Sequence, residues 1–353
     1  MRIAIFGSSL VSSYWNGAAT YYRGIVRALA ERGHDVVFLE PDAYERQQHR
    51  DMEDPSWAEV VVWEPSADRA RELVRSVAGF DVVAKTSGVG VLDAELEEAV
   101  ARLSGPITIY WDVDAPATLA RLEADEGDSL RELVPHFDLV LTYGGGDPVI
   151  DGYRSLGARD CAPVYNGLDP ETHHAEEPDE RFAADLAFLG NRLPDREHRV
   201  EEFFLAVAAY SPRHSFVLGG SGWEGKPMPG NVRLLGHVGT GDHNALNSTP
   251  LAVLNVTRDS MVANGWSPAT RVFESAGAGA CLITDAWRGI ELFLEPGREV
   301  LVAHDGDEVA RHLDELDPER ARSIGEAALA RVLRDHTYAQ RAEQVEALLG
   351  VRA

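Results

Sequence analysis

The segment at residues 266–287, WSPATRVFESAGAGACLITDAW, carries the strongest chemical signal in the sequence. Ser267 and Pro268 predict the N-cap and first-turn proline of a helix. Arg271 and Glu274 are three residues apart and share one face of that helix. A helix N-terminus suits a diphosphate, and a carboxylate one turn further in suits a ribose diol. The alternative is an Arg–Glu surface pair on an ordinary helix. The predicted donor contacts here are Ser267, Thr270, Arg271 and Glu274.

A second signal is the turn at residues 190–192 (GNR), which is followed by Arg196 and Arg199. Arginine offers planar, bidentate donors, so a strand-to-helix turn that is rich in arginine predicts a phosphate clamp. Alternatively, Arg196 and Arg199 lie on a solvated helix face, paired with Glu197 and Glu201. The predicted ligand contacts in this segment are Gly190, Asn191, Arg192 and Arg196.

A third group of candidates comes from two loops that follow strands. The run GGSGW at residues 219–223 permits close approach of the backbone to a ligand. Gly219 and Trp223 are therefore assigned to the donor site, together with His237 of the next loop. The alternatives are an ordinary turn and a structural histidine.

In the first half, residues 8–17 form a loop after the first predicted strand. The loop has neither the GxGxxG fingerprint nor the GK[ST] of a phosphate-binding P-loop, which argues against a dinucleotide or an ATP γ-phosphate site. It should face the ligand because it follows the carboxyl end of a parallel strand. The predicted acceptor contacts are Tyr14, Trp15, Asn16, Gly17 and Lys85.

Asp112 and Asp114 follow the apolar run that ends at Trp111. Two carboxylates at a strand end are candidates for sugar binding or for a general base, and they are the predicted catalytic residues. The alternative is an Asx-type turn that caps a helix starting at Pro116. We expect no metal, because the sequence has no cluster of His, Cys and carboxylate residues at metal-ligand spacing.

The elements that must position these residues alternate between strand and helix patterns. Apolar runs at residues 2–6 and 35–39 flank a helical pattern at 20–32, which predicts a βαβ unit and a parallel sheet. A polar stretch at 169–181, with two prolines and no periodicity, is the predicted linker to a second α/β series. The predicted domains are residues 1–168 and 182–335, followed by a closing helix at 336–353.

The amino-acid composition limits the classes of molecule that are expected to bind the protein. The 353 residues carry 33 basic and 58 acidic side chains, a net charge of −25, so nucleic acid and anionic membrane surfaces are excluded as partners. The two cysteines lack CxxC spacing and suit a reducing compartment, and no apolar stretch is long enough to span a bilayer. A cytoplasmic location is expected, and the oligomeric state is left open.

The run RVFESAGAG at residues 271–279, with LITD at 282–285, resembles the donor-binding segment of GT-B glycosyltransferases, most closely the CgeB-like group related to the family-4 enzymes. Segments at 188–191, 219–223, 293–299 and 336–341 agree in order, and YWDVDAP at 110–116 agrees more loosely. The resemblance implies an α/β protein of GT-B fold, with two Rossmann-like domains whose parallel sheets face each other across a cleft. It also implies that Glu274 contacts the ribose and Arg196 the diphosphate.

The sequence departs from that pattern in one respect. Family-4 enzymes have two glutamates separated by seven residues, and the first of them is replaced here by Trp266. The donor sugar and the stereochemical course are therefore left open. Asp112 and Asp114 spell a DxD motif, but enzymes of this architecture meet the diphosphate charge with helix dipoles and basic side chains, so a metal is not implied.

The function that these features predict is transfer of a sugar from a nucleotide-diphosphate-sugar to an acceptor hydroxyl, independent of metal and of any cofactor beyond the donor itself. The acceptor is a small molecule or a glycan. Two alternatives stay open: a sugar-nucleotide epimerase of the same fold, and a non-catalytic nucleotide-sugar-binding or spore-coat-type protein. The closing helix is expected to cross back to the first domain and cover its apolar stripe there.

Overall fold

The computed structural model describes residues 1–14 and 16–350. It divides into two compact units. The first unit comprises residues 1–166 together with the closing segment from Tyr338, and the second comprises Gly167–Thr337. The segment at 169–181, predicted as a linker, belongs to the second unit.

The first unit is built on a parallel sheet of seven strands in the order β3-β2-β1-β4-β5-β6-β7. The strands are β1 (Arg2–Phe6), β2 (Asp35–Pro41), β3 (Glu59–Trp63), β4 (Val82–Thr86), β5 (Ile107–Asp112), β6 (Leu139–Thr142) and β7 (Cys161–Pro163). Strand β7 was not predicted, since its three residues are too short for periodicity to reveal them. The strand order changes direction between the parallel neighbours β1 and β4, so the loops after these two strands are the expected ligand-facing loops.

The second unit repeats the same logic with a parallel sheet of six strands in the order β10-β9-β8-β11-β12-β13. The strands are β8 (Leu186–Leu189), β9 (Phe216–Gly219), β10 (Val232–Gly236), β11 (Ala252–Asn255), β12 (Leu282–Asp285) and β13 (Leu301–Ala303). Counted within the unit, this is the Rossmann order 3-2-1-4-5-6, with its switch point between β8 and β11. Two parallel-sheet α/β units confirm the predicted fold class.

Helices cover the sheets. Those of the first unit are α1 (Ala19–Glu31), α2 (Ala67–Ser76), α3 (Asp93–Ala101), α4 (Ala115–Ala124), α5 (Ser129–Leu133), α6 (Gly146–Ser155) and the closing α14 (Tyr338–Leu348). Those of the second unit are α7 (Glu197–Val200), which continues through Glu201–Ala206 into α8 (Val207–Tyr210), α9 (His243–Ser248), α10 (Asp259–Asn264), α11 (Thr270–Gly277), α12 (Gly306–Glu315) and α13 (Pro318–Asp335). No helix among the described residues is long and apolar enough to cross a membrane.

Alternation along the strands of the first unit creates two cores, because successive side chains of a strand point to opposite faces of the sheet. In β1, Ala4 and Phe6 pack in one cluster, whereas Ile3 and Ile5 pack in the other. In the second unit, Phe188 of β8 packs in one cluster, whereas its neighbour Ala187 packs in another. Both faces of each sheet are therefore covered by apolar side chains, as a doubly wound parallel sheet requires.

The closing helix begins two residues later than predicted. Helix α13 ends at Asp335 and α14 starts at Tyr338, because the backbone of His336 (φ −137°, ψ 38°) is no longer helical. Thr337 forms an isolated parallel bridge with Leu168, and the Leu168 amide donates to the His336 carbonyl at 2.7 Å. Pairing of these backbone groups interrupts the helix.

Helix α14 packs on α1 within the first unit. The buried Tyr338 ring lies against Gly24, where a Cβ atom would come within 2.2 Å of the ring. At the far end of the helix, Arg32 Nη2 lies 2.6 Å from Glu346 Oε2, and His34 Nε2 lies 2.8 Å from the other oxygen of that carboxylate. Glu343 Oε1 also lies 3.1 Å from Arg32 Nη1, so the closing helix is fixed to α1 and to the residues just after it by one ring and two carboxylates.

We expect Gly24→Ala to lower the free energy of unfolding of the protein by about 1–3 kcal/mol, because the added methyl group overpacks the Tyr338 ring. The direction is informative, since alanine inside a helix is otherwise favoured over glycine by about 1 kcal/mol. Urea unfolding followed by circular dichroism measures the change. Gly79→Ala is the matched control, because a Cβ there meets no atom within 4 Å. A Gly24→Ala protein as stable as the wild type would contradict this packing.

Candidate functional site

The candidate site lies at the carboxyl edge of the second sheet, around the switch point between β8 and β11. The loops that follow these two strands are tied together by Asp195 and Arg258, whose carboxylate Oδ2 and guanidinium Nε are 2.6 Å apart. The amide of Asp259 also donates to the carbonyl of Asp195 at 3.1 Å. The two loops that should face a ligand are therefore held in one arrangement.

Arg196 lies at the start of the helix after β8 and turns its side chain back over the strand end. Its Nη2 donates to the Asn191 carbonyl at 2.7 Å, and its guanidinium lies 5.6 Å from the centre of the Phe188 ring. Burial, with a further contribution from the positive charge of Arg271, lowers the pKa of Arg196 to about 10. Nε of Arg196 is buried and has no hydrogen-bond partner among the described residues.

Arg271 approaches the same point from helix α11. Its guanidinium donates to the Leu189 carbonyl and lies 5.3 Å from the centre of the same Phe188 ring. Burial lowers the pKa of Arg271, and the charge of Glu274 opposes that shift. In the part of the chain that the structure describes, neither Arg196 nor Arg271 forms an ion pair with a carboxylate. Two partly buried guanidinium groups on one ring, without an ion-paired carboxylate among the described residues, have the donor chemistry that binds anions.

Glycines at the strand ends let the loops come this close. A Cβ atom at Gly190 would lie 2.8 Å from Arg196 Nη2 and 3.0 Å from the Phe188 ring. Gly220 has φ +121°, and a Cβ there would lie 2.3 Å from the Gly190 carbonyl oxygen. Any side chain at 190 or 220 would thus displace the guanidinium or the neighbouring loop. Gly219 was also predicted to contact the ligand, but its Cα packs against the side chains of Val238 and Leu189 instead.

The side chains of the two glycine loops lock the loops to each other. Asn191 Oδ1 accepts from the Ser221 amide at 2.9 Å, and Trp223 Nε1 donates to the Gly190 carbonyl at 2.8 Å. Trp223 is fully buried in the core of the unit. The prediction that Trp223 contacts the ligand is therefore corrected. Its indole lies in the core and holds the Gly190 turn in position.

Helix α11 begins at Thr270, and the residue at its N-cap is Ala269, with no side-chain hydrogen bond to the first turn. The prediction of a Ser267 cap is wrong, because Ser267 is buried and its hydroxyl donates to the Gly265 carbonyl at 3.0 Å. The first-turn amides of α11 are consequently uncapped by side chains, and they lie one turn before Glu274. Uncapped amides and the helix dipole both favour an anion at this end.

Trp266 precedes this turn and has a left-handed backbone with φ +47°. Its ring lies 5.0 Å from the Arg288 guanidinium, and a Cβ at Gly289 would come within 2.3 Å of it. A non-glycine residue in this conformation is held there by its surroundings. Contact between the Trp266 ring and the Gly289 backbone holds Trp266 in this conformation. Trp266 in turn fixes the direction in which the chain enters α11.

The other two arginines of the predicted clamp are compensated. Arg192 is exposed, and its Nη2 lies 2.7 Å from Glu197 Oε1. Arg199 Nη2 lies 2.8 Å from the fully buried carboxylate of Asp285, which also accepts from the amide and hydroxyl of Thr257. The predicted ligand contact of Arg192 is therefore corrected to an exposed ion pair. The alternative of a solvated Arg199 paired with Glu197 or Glu201 is also wrong, because its partner is the buried Asp285. His237 is exposed on the loop after β10, at the same edge of the sheet.

Glu274 lies on α11 with a side chain that is 15% exposed. Its Oε1 lies 3.8 Å from Nε2 of His173, a residue of the segment predicted as linker. Neither this histidine nor the Asp195–Arg258 pair was found from the sequence. The partners in these contacts are separated by 101 and 63 positions, so no local spacing could have revealed them.

In the first unit, Lys85 cannot contact an acceptor. Its side chain is fully buried, and Nζ lies 2.6 Å from Asp93 Oδ1 and 3.4 Å from Glu97 Oε1. Burial raises the pKa of Glu97, and Lys85 opposes that shift. The predicted acceptor role of Lys85 is corrected to a buried charge cluster. A signal was present, because Asp93 and Glu97 are four residues apart on one helix face.

The loop after β1 is held by its own polar groups. Asn16 is buried, and its Nδ2 donates to the carbonyls of Ser9 and Ser12 at 2.7 and 3.0 Å. Asn16 therefore stabilises the conformation of this loop, and the prediction that it contacts an acceptor is corrected. Tyr14 is exposed and stacks on His49 with ring centres 4.1 Å apart, and Gly17 is exposed. Trp15 lies outside the described residues.

Asp112 and Asp114 differ in their surroundings. Asp112 is fully buried, its Oδ2 accepts from the Tyr153 hydroxyl and its Oδ1 accepts from the Asp114 amide at 2.9 Å. This is the Asx-turn alternative, and its burial keeps Asp112 from reaching an acceptor directly. Asp114 is half-buried at the N-cap of α4. Among the described residues no group of three His, Cys, Asp or Glu side chains could hold a metal ion.

Residues 196–347 match the family model described as glycosyl transferase-like. No curated protein sequence shows significant similarity to this chain.

Solved structures resemble the chain over its whole length. HepE from Anabaena in complex with UDP and glucose matches with a TM-score of 0.69 at 15% identity, covering 100% of both chains. Sucrose-phosphate synthase from Thermosynechococcus elongatus matches with a TM-score of 0.68 at 15% identity, covering 99% of this chain and 98% of the other. The lipopolysaccharide outer core galactosyltransferase WaaB, in its apo form, matches with a TM-score of 0.63 at 14% identity and 99% coverage of both. The chain therefore has the GT-B fold.

The correction for Lys85 generates a stability prediction. We expect Lys85→Ala to lower the free energy of unfolding by about 3–5 kcal/mol, because it leaves the buried carboxylate of Glu97 without its cation. The double variant Lys85→Met/Glu97→Leu should recover most of that loss, since an apolar pair of similar volume avoids burying charge. Urea unfolding of both variants measures the difference. Equal stability of Lys85→Ala and the wild type would return Lys85 to the list of ligand-binding candidates.

Proposed function

We propose that the protein is a glycosyltransferase that moves a sugar from a UDP-sugar to an acceptor hydroxyl without a bound metal ion. The observation that carries the proposal is the pair Arg196 and Arg271. Both guanidiniums lie over Phe188 at the switch point of the second sheet, and within the described chain neither has a carboxylate partner. A diphosphate supplies the counter-charge that these groups lack.

The proposed catalytic work is stabilisation of the leaving group. When the bond between the sugar and the diphosphate breaks, negative charge grows on the departing nucleoside diphosphate. Arg196, Arg271 and the uncapped first turn of α11 are already in place to meet that charge, so little reorganisation is needed during the reaction. Glu274, one turn into α11, is proposed to accept hydrogen bonds from the ribose hydroxyls.

The comparisons support a nucleotide-sugar donor. The family match covers residues 196–347 and so includes Arg196, Arg271 and Glu274. The HepE structures contain UDP, UDP with glucose, and UDP-glucose, which makes UDP the nucleotide to test first. The CgeB-like subgroup, a hexosyl donor and a cytoplasmic location are proposed on the sequence alone.

Metal independence is proposed because arginines and a helix N-terminus already supply positive charge where the diphosphate would bind. For the acceptor, Asp114 is the better candidate of the predicted pair, since Asp112 is enclosed by Tyr153 and by the Asp114 amide. Tyr14 and Gly17 stay proposed as acceptor contacts, because both are exposed at the carboxyl edge of the first sheet.

We expect Arg196→Ala and Glu274→Ala each to weaken UDP binding by about 1.5–3 kcal/mol, the cost of losing a hydrogen bond to a charged group. Arg192→Ala is the matched control. Arg192 comes from the same loop but is exposed and paired with Glu197, so its removal should change UDP affinity little. Isothermal titration calorimetry at constant ionic strength measures all three. Unchanged affinity in both site variants would remove the donor-site assignment.

The activity itself is tested by turnover of UDP-glucose, UDP-galactose and UDP-N-acetylglucosamine, with and without a panel of glycoside acceptors, each in the presence and absence of EDTA. We expect transfer that requires an acceptor and persists in EDTA. Interconversion of two UDP-sugars without an acceptor would identify an epimerase. Binding without any turnover would favour the non-catalytic alternative. Complete loss in EDTA, reversed by Mg²⁺ or Mn²⁺, would overturn metal independence.

A further inference from the structure

Two histidines from outside the 266–287 motif lie near the Glu274 carboxylate. His173 Nε2 lies 3.8 Å from Glu274 Oε1, and the side chains are 13% and 15% exposed. His243 opens helix α9, close enough that the charges of both Glu274 and His173 act on its pKa. Burial is the largest effect and lowers the pKa of His243. Of the two histidines, His173 is the one whose ring nitrogen lies within 4 Å of the carboxylate among the described ion pairs.

The segment that carries His173 is held in place at several points. The Asp169 carbonyl accepts from the amides of Thr172 and His173 at 3.2 and 2.9 Å. Asn244 Nδ2 donates to the Thr172 carbonyl at 3.0 Å, which ties the segment to α9. On the other side, a Cβ atom at Gly277 of α11 would lie 3.0 Å from the His173 carbonyl oxygen. The backbone of residues 169–173 is thus packed between two helices of the second unit.

The other ring nitrogen of His173 also has a polar neighbour. Nδ1 lies 3.0 Å from the Thr172 hydroxyl oxygen, which itself lies 3.3 Å from the Asp169 carbonyl oxygen. If the hydroxyl donates to Nδ1, the proton of the neutral ring is on Nε2, which points at Glu274. A contact of 3.8 Å is long for a hydrogen bond, and such contacts in ligand-free sites often tighten when the ligand binds.

We propose that His173 is a positioning residue of the nucleotide site, which orients the Glu274 carboxylate so that its oxygens accept from both ribose hydroxyls and thereby selects ribonucleotides over 2′-deoxyribonucleotides. The proposal rests on the proposed function, in which Glu274 binds the ribose. A carboxylate that is free to rotate accepts one hydroxyl as readily as two. Fixing its plane makes loss of the 2′-hydroxyl costly, because one oriented oxygen is left without its donor.

The experiment is calorimetric titration of UDP and of 2′-deoxy-UDP into the full chain. Four proteins are compared: the wild type, His173→Ala, His173→Gln and His174→Ala. The wild type should prefer UDP by about 10-fold or more, the range expected for one hydrogen bond to a charged group. His173→Ala should weaken UDP binding about 5–10-fold and bring the ratio of the two affinities close to one, by the same principle.

Two variants separate positioning from simple packing. His173→Gln keeps an N–H donor at similar reach and should restore most of the preference for UDP. His174→Ala is the matched control, since His174 is an exposed neighbour whose ring contacts only the Ala175 carbonyl among its hydrogen-bond partners in the described chain. If His173→Ala does not fold, His173→Leu retains the packing volume without a donor and should show the same loss of preference.

The outcomes distinguish this inference from the proposed function. If the wild type binds UDP and His173→Ala keeps both affinity and preference, the inference is overturned and the donor site stands. If the wild type binds UDP and 2′-deoxy-UDP equally, the selection is overturned as well. If the wild type binds no UDP, the proposed UDP-sugar donor is wrong, and the role of His173 at that site is rejected with it.

Discussion

Two positively charged guanidinium groups lie against the ring of Phe188, and the surrounding residues of the second unit must stabilise them. Arg196 and Arg271 are partly buried, and desolvation lowers the pKa of both. Their ground state is stabilised by carbonyl acceptors at Asn191 and Leu189 and by contact with an aromatic face, which is worth about 0.5–2 kcal/mol per cation. These contacts hold the guanidiniums but do not neutralise them. The remaining charge is available to a bound anion.

The contrast with neighbouring arginines shows that this lack of compensation is local. Arg199 is paired with the buried Asp285, and Arg258 is paired with Asp195. The chain as a whole has 58 acidic residues against 33 basic ones, so carboxylates are abundant. Arg233 and Arg288 of the second unit also form no ion pair among the described residues, but both are exposed to solvent. Arg196 and Arg271 are partly buried at the end of β8 without a carboxylate partner, and perturbed charges of this kind cluster at functional sites.

Much of the fold could be predicted from the sequence, because apolar periodicity and turn residues are local properties. Strand β1 has the predicted bounds, and the alternation of strands and helices led to two parallel-sheet units. The boundary between the last two helices at residues 335–336 was also predicted. Strand β7 was missed because it is too short, and the pairing of Thr337 with Leu168 was missed because these residues are far apart in the chain. Pattern reasoning is blind to pairings between residues far apart in the chain.

The candidate site was predicted less evenly, for a related reason. A polar residue at a strand end has the same local pattern whether it faces a ligand or a neighbouring side chain. Lys85, Trp223 and Asp112 each bond to a buried side chain or to a neighbouring loop of the protein. Only the tertiary contacts reveal these partners. Arg196 differs, because its guanidinium finds a carbonyl and a ring but no carboxylate among the described residues.

The segment at 169–181 extends the same argument to a whole loop. Its polar, proline-containing composition predicts a linker, yet its backbone groups are bound by side chains of the second unit. The amides of Glu176 and Asp179 donate to the hydroxyls of Ser248 and Thr249 at 3.1 and 3.0 Å. A loop whose hydrogen bonds go to side chains needs no apolar residues to stay in place, so composition cannot distinguish it from a flexible connection. Such a segment can carry a ligand-facing residue, and here it brings His173 to Glu274.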